Sequence, residues 1–167
     1  MTVNGTNELV ARNRAYVAGL GRRGPVAAAP TMRVAIVTCM DARIETGRMF
    51  GLREGEVHVI RNAGGTVTED VLRSLAISQV VLGTREIVVI KHTDCGLGRF
   101  GEEELRGTIA AATGADQEFA MGTFRDADAA VREACQALLE SQLIPYKESI
   151  RGFIYDVSDG TVREVFS

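Results

Sequence analysis

The residues that could do chemistry together fall in two short runs. Cys39, Asp41 and Arg43 alternate in Cys39-Met40-Asp41-Ala42-Arg43, and His92 and Cys95 stand three apart in His92-Thr93-Asp94-Cys95-Gly96. Two thiolates and one imidazole suit a zinc ion, and a site with no fourth protein ligand keeps one position for water. Such an open position marks a catalytic zinc site, whereas structural zinc sites close with four protein ligands. Beside the thiolate, Asp41 and Arg43 offer an ionised carboxylate held by a guanidinium. Side chains at alternate positions of extended backbone point the same way, so Cys39, Asp41 and Arg43 share a side if the chain stays extended there.

The elements that must position these groups read as alternating strands and helices. Residues 33–38 (RVAIVT) form a short apolar, β-branched run, the pattern of a strand covered on both faces. Residues 56–61 (EVHVIR) form a second such strand and end in Asn62-Ala63-Gly64-Gly65. Thr68 caps a helix with Glu69 and Asp70 in its first turn, and Gly83 closes it. Residues 86–91 (EIVVIK) make the third strand, which runs straight into His92. The Gly-rich stretch 97–125 holds a short helix near 102–112, begun by the Glu102–Glu104 run. Asp126 or Asp128 caps a further helix through Glu140, with Val131, Ala134, Cys135, Leu138 and Leu139 on one face and Pro145 ending it. The tail reads as a hairpin, 151–157 and 161–166 about a Ser-Asp-Gly turn.

This order predicts an α/β fold: a mainly parallel central sheet with helices on both faces and an antiparallel C-terminal edge hairpin. Residues 5–20 add an N-terminal helix on a tether through Arg22–Arg23 and an Ala-rich linker to Pro30, an arm that packs on something else. The division expected is an arm over 1–30 and a zinc-binding α/β catalytic domain over 31–167. Both ligand runs lie just past the carboxyl ends of strands, where open α/β sheets bind ligands. They converge only if the first and third strands are neighbours.

With 167 residues, 46% of them apolar and 25% charged, the chain has the composition of an ordinary globular protein with material for one core. A net charge of −3 gives no footprint for nucleic acid, and no apolar run is long enough to span a bilayer. The N-terminal stretch lacks the apolar core of a signal peptide, which points to the cytoplasm and to reduced cysteines free to bind a metal.

The C-x-D-x-R and H-x-x-C runs, Arg61-Asn62-Ala63-Gly64 between them, and the tail Gly152-Phe153-Ile154-Tyr155-Asp156-Val157 together resemble the β-class carbonic anhydrases, most closely the short bacterial members. The resemblance runs from about Arg33 to Val165. It implies one zinc per chain on Cys39, His92 and Cys95, and reversible hydration of carbon dioxide to bicarbonate and a proton. It also implies a homodimer or higher homo-oligomer, with the N-terminal helix lying across the partner. Zinc makes hydroxide available near neutral pH. Two thiolates cancel its charge, however, and leave a weaker Lewis acid than three imidazoles would. Asp41 is suited to accept the nucleophile's hydrogen, and Arg43 to keep that carboxylate ionised and off the metal.

Departures from the family pattern are Ala42, where Ser is more usual, and Arg53, where plant-type members place Gln. Members regulated by bicarbonate use a Trp in a non-catalytic pocket; this chain has no Trp, although Arg61 matches another residue of that pocket. The expectation is therefore a resting state with water on zinc and Asp41 off it. Two other readings stand beside hydration. One is hydrolysis of carbon disulfide or carbonyl sulfide on the same scaffold. The other is a zinc-stabilised binding module with Asp41 as fourth ligand. Cys135 reads as core packing, His58 as a packed strand histidine, and Gly64–Gly65 as a tight turn near the site.

Overall fold

A computed structural model describes residues 5–21 and 24–167, so the tether reading of Arg22–Arg23 lies outside the described residues. The strands are β1 (Val34–Cys39), β2 (Val57–Asn62), β3 (Glu86–His92), β4 (Ile150–Tyr155) and β5 (Val162–Phe166). The helices are α1 (Gly5–Gly19), α2 (Thr46–Phe50), α3 (Glu69–Val80), α4 (Glu102–Thr113) and α5 (Ala127–Glu140).

One five-stranded sheet has the order β2-β1-β3-β4-β5. It is parallel from β2 through β4, and β5 pairs antiparallel with β4. The adjacency the site needs is present: Val34 to Thr38 of β1 lie in register with Glu86 to Ile90 of β3. From β1 the chain moves to β2 on one side, and from β3 it moves to β4 on the other. The order therefore reverses between β1 and β3, and such a switch point opens a crevice at the carboxyl ends of the strands.

The central position of β1 explains its sequence. Ala35 through Cys39 are all buried, whereas β2, an edge strand in this chain, leaves Val59 exposed. Ala35, Val37, Ile87, Val89, Ile150 and Ile154 form a single layer against Val71 and Leu75 of α3 and against Val131, Ala134, Cys135 and Leu138 of α5. At Gly152 of β4, a Cβ would lie 2.3 Å from Val131 Cγ1 and 3.0 Å from Cys135 Sγ, so this close packing of α5 depends on glycine.

The helix placement differs from the two-sided expectation, because α3 and α5 pack on the same face of the sheet. On the opposite face Val34, Ile36, Val57, Val88 and Phe153, with Met32, Phe50 and Leu52, line an apolar recess of about 320 Å3. Apolar residues on both sides of a strand say that both sides are covered, not that the cover comes from the same chain. The arm agrees with expectation in its form. Every residue of α1 is exposed, Leu9, Tyr16 and Val17 among them.

Helix boundaries follow local chemistry. Thr68 accepts from the Val71 N–H, and Asp126 accepts from the Asp128 and Ala129 N–H groups, which satisfies donors that a first turn leaves open. α5 stops at Glu140, where Ser141 turns extended, several residues before Pro145. α2 was not expected from sequence; five residues with one buried side chain carry too little periodicity to read.

Candidate metal centre

β1 delivers Cys39 and β3 delivers His92 to the same edge of the sheet, and a turn after His92 brings Cys95 back beside them. The Sγ atoms of Cys39 and Cys95 and a ring nitrogen of His92 all lie within 4.8 Å of one another, and all three residues are buried. Backbone geometry at Asp94, with φ 57, makes that return possible. Aspartate tolerates this left-handed region better than most residues.

The imidazole is oriented by the chain. His92 Nδ1 lies 2.9 Å from the Thr93 carbonyl oxygen, which as an acceptor requires the proton on Nδ1. Nε2 is then left with a bare lone pair. Among the described residues it is the one buried side-chain nitrogen or oxygen without a hydrogen-bond partner. Buried polar atoms are nearly always satisfied, so an orphaned Nε2 beside two sulfurs fits a metal ligand. Thr93 is anchored in turn: its N–H donates to Tyr155 O at 2.9 Å, and its hydroxyl accepts from Val157 N–H at 3.1 Å.

The sulfurs behave as a pair. A hydrogen bond from the Cys95 thiol, with help from backbone amides, holds Cys39 well below the usual thiol range against the effect of burial. The same bond, then burial, pushes Cys95 up. A divalent cation binds such a pair as thiolates and displaces the thiol protons. The residues present fit zinc, with two thiolates, one neutral imidazole and no fourth member in the group.

Beside the cluster, Arg43 grips Asp41 as a fork. Nε donates to Oδ1 at 2.9 Å and Nη2 to Oδ2 at 2.7 Å, and the Arg43 backbone N–H adds a bond to Oδ1 at 2.9 Å. These bonds keep the Asp41 carboxyl well below its usual range. Asp41 Oδ2 stands 3.9 Å from His92 Nε2, close to the cluster without belonging to it.

Three neighbours carry weight that the sequence motifs did not reveal. Asp94 accepts from Arg43 Nη1 at 2.8 Å and also pairs with Arg99, so Arg43 is held from two sides. Arg61 donates to the carbonyls of Cys39 at 3.0 Å and Asp41 at 2.8 Å, pinning the loop that presents both side chains. Lys91, buried behind the cluster, donates to Gly64 O at 2.9 Å. Only its place next to His92 could have flagged it.

The Gly64–Gly65 turn behaves as read. Asn62 closes it with two 2.8 Å bonds to the Thr66 backbone, and a Cβ on Gly65 would meet the Thr38–Cys39 backbone at 3.0 to 3.1 Å. Above the sulfurs lies a cavity of about 270 Å3 whose walls include Asp41, Gly64, Leu97, Phe100 and Leu105. Arg53 lies at the surface, paired with Glu56. His58 is packed at the other end of the sheet between Ser78 Oγ at 2.8 Å and Ala28 O at 3.2 Å.

Comparison with known proteins agrees with this geometry. The carbonic anhydrase family model matches residues 34–109. Beta-carbonic anhydrase 1 of Mycobacterium tuberculosis is 43% identical over 165 residues, covering 99% of each chain. The crystal structure of a Streptococcus mutans carbonic anhydrase superposes with a TM-score of 0.93 at 43% identity, again over 99% of both chains. A carbon disulfide hydrolase of Saccharolobus solfataricus is 47% identical, but over 73 residues that cover 44% of this chain and 36% of that protein. Sequence, fold and site geometry thus agree over the full length, and the chain belongs to the β-class carbonic anhydrase family.

Proposed function

We propose that this protein catalyses the reversible hydration of carbon dioxide to bicarbonate and a proton, using zinc held by Cys39 Sγ, His92 Nε2 and Cys95 Sγ. The observation that carries this reading is the buried, partnerless His92 Nε2 facing two sulfurs. When bound, zinc supplies the Lewis acidity that makes water nucleophilic near neutral pH. Asp41, kept ionised by Arg43, accepts a hydrogen bond from the attacking oxygen and turns its lone pair toward the substrate carbon. Both Asp41 oxygens are engaged by the Arg43 fork, which supports a carboxylate that stays off the metal and a position left for solvent. The cavity above the site, walled by Leu97, Phe100 and Leu105, suits a small apolar molecule.

Hydrolysis of carbon disulfide is the second reading, favoured by the partial match to a hydrolase of that substrate. The full-length match to a carbonic anhydrase favours hydration. Zinc analysis together with paired assays separates them. We expect one zinc per chain and carbon dioxide hydration far exceeding sulfide release from carbon disulfide; the reverse ratio would reassign the substrate, and a zinc-replete protein inactive in both would support the binding module.

The apolar recess on the second face of the sheet and the exposed Leu9, Tyr16 and Val17 of α1 support a homodimer in which the arm over 1–30 lies across the catalytic domain over 31–167 of a second copy. Native mass spectrometry should give twice the chain mass or a multiple of it, and a monomer at micromolar concentration would overturn this. Three unpaired cysteines support work in the reducing cytoplasm.

A further inference from the structure

Lys91 is 3% exposed, and among the described residues no carboxylate forms an ion pair with it. A buried ammonium without a counter-charge is costly, so its position calls for a partner. Its direct contacts are the Gly64 carbonyl at 2.9 Å and the face of the Phe124 ring, 4.9 Å from Nζ to the centroid. The negative groups that favour its charged form are the Cys95 and Cys39 sulfurs and, from α5, Glu133, against the opposing effect of burial. Glu133 and Lys91 both line a cavity of about 220 Å3, and the pairing of Thr38 with Ile90 sets the residues that follow them, Cys39 and Lys91, side by side on neighbouring strands.

Resting on the zinc reading above, we propose that Lys91 is a positioning residue of the metal centre, whose ammonium pins the Gly64 turn beneath Cys39 and serves as a fixed counter-charge behind the two ligand sulfurs. The pinning is mechanical. Gly64 O accepts from Lys91, and the next residue, Gly65, packs so closely on the Thr38–Cys39 backbone that a Cβ there would lie 3.0 to 3.1 Å from it, so the ammonium holds the turn that backs Cys39. The counter-charge answers the difficulty of a two-thiolate site. Two thiolates cancel the charge of a divalent ion, and the centre becomes net negative once a nucleophile is generated there. A positive charge in a low-dielectric interior favours that negative state.

Lys91→Met keeps the length of the side chain and removes the charge; Lys91→Gln serves should Lys91→Met not fold. Zinc affinity is read by chelator competition, and kcat/KM for carbon dioxide hydration is followed against pH. We expect zinc to bind about tenfold more weakly or worse, and the midpoint of the pH profile to rise by about one unit. The metal-free protein should melt no lower than wild type, since an apolar side chain replaces a buried charge. Unchanged zinc affinity or an unchanged pH midpoint would overturn the proposal, and a lowered metal-free melting temperature with both unchanged would leave Lys91 a packing role alone. Wild-type protein that binds no zinc would instead overturn the reading on which this one rests.

Discussion

Cys135 and Cys39 are equally removed from solvent, at 0% and 4% exposure, yet the fold treats them in opposite ways. Cys135 sits in the middle of α5 against Gly152 and the apolar layer, and burial alone pushes its thiol up to about 11. Cys39 ends β1, where the Cys95 thiol and backbone amides supply donors, and its thiol is held below the usual range despite burial. Burial by itself disarms a cysteine. Burial at the carboxyl end of a strand, where the sheet's hydrogen bonding stops and loop amides become available, arms it.

The largest test of this contrast is Cys39→Ser. It should lose stoichiometric zinc and lower hydration to below about one part in 10³ of wild type, by metal analysis and stopped-flow assay; retained zinc would place the ligands elsewhere. Asp41→Asn asks whether the polar surroundings do more than hold metal. It should keep one zinc per chain while kcat/KM falls about 10²-fold or more. Arg43→Ala should be milder, roughly tenfold, because other donors can still reach Asp41, and near-normal rates in either variant would remove the orienting role.

On the disarmed side, Cys135→Ala should leave zinc content and turnover unchanged and cost about 1 kcal/mol of stability, read from the urea midpoint; any loss of metal would break the comparison. The smallest effect concerns acid. Arg43 depresses the Asp41 carboxyl in the folded state, so that contribution is present above the unfolded value of 3.8 and lost as pH falls below it. Metal-free wild type should therefore lose slightly more stability than Asp41→Asn between about pH 5 and about pH 3; equal losses would mean the fork adds nothing to folding.

Much of the site was legible because ligand chemistry is carried by residue type. Cys39, His92 and Cys95 are readable as soft donors wherever they occur, and the strands ahead of them are readable as β-branched runs. Asp94, Arg61 and Lys91 were not, since charged residues beside a motif are ordinary, and their roles depend on contacts with backbone atoms up to tens of residues away. The sheet face opposite α3 and α5 escaped for a related reason: the apolar pattern of Val34, Ile36 and Val88 records burial without recording which element provides it.

What the sequence determined by itself was therefore local: the donor set, the Asp–Arg pair, the alternation of strand and helix, and the caps at Thr68 and at Asp126 or Asp128. These follow from side-chain chemistry and short-range backbone preference, which act over a few residues. The tertiary structure alone decided that β1 and β3 are neighbours, that His92 Nε2 meets two sulfurs without a hydrogen-bond partner, and that a buried lysine follows Ile90 beside them. Those outcomes depend on the order of strands across the sheet, a balance of packing over the whole chain that no short stretch of residues encodes.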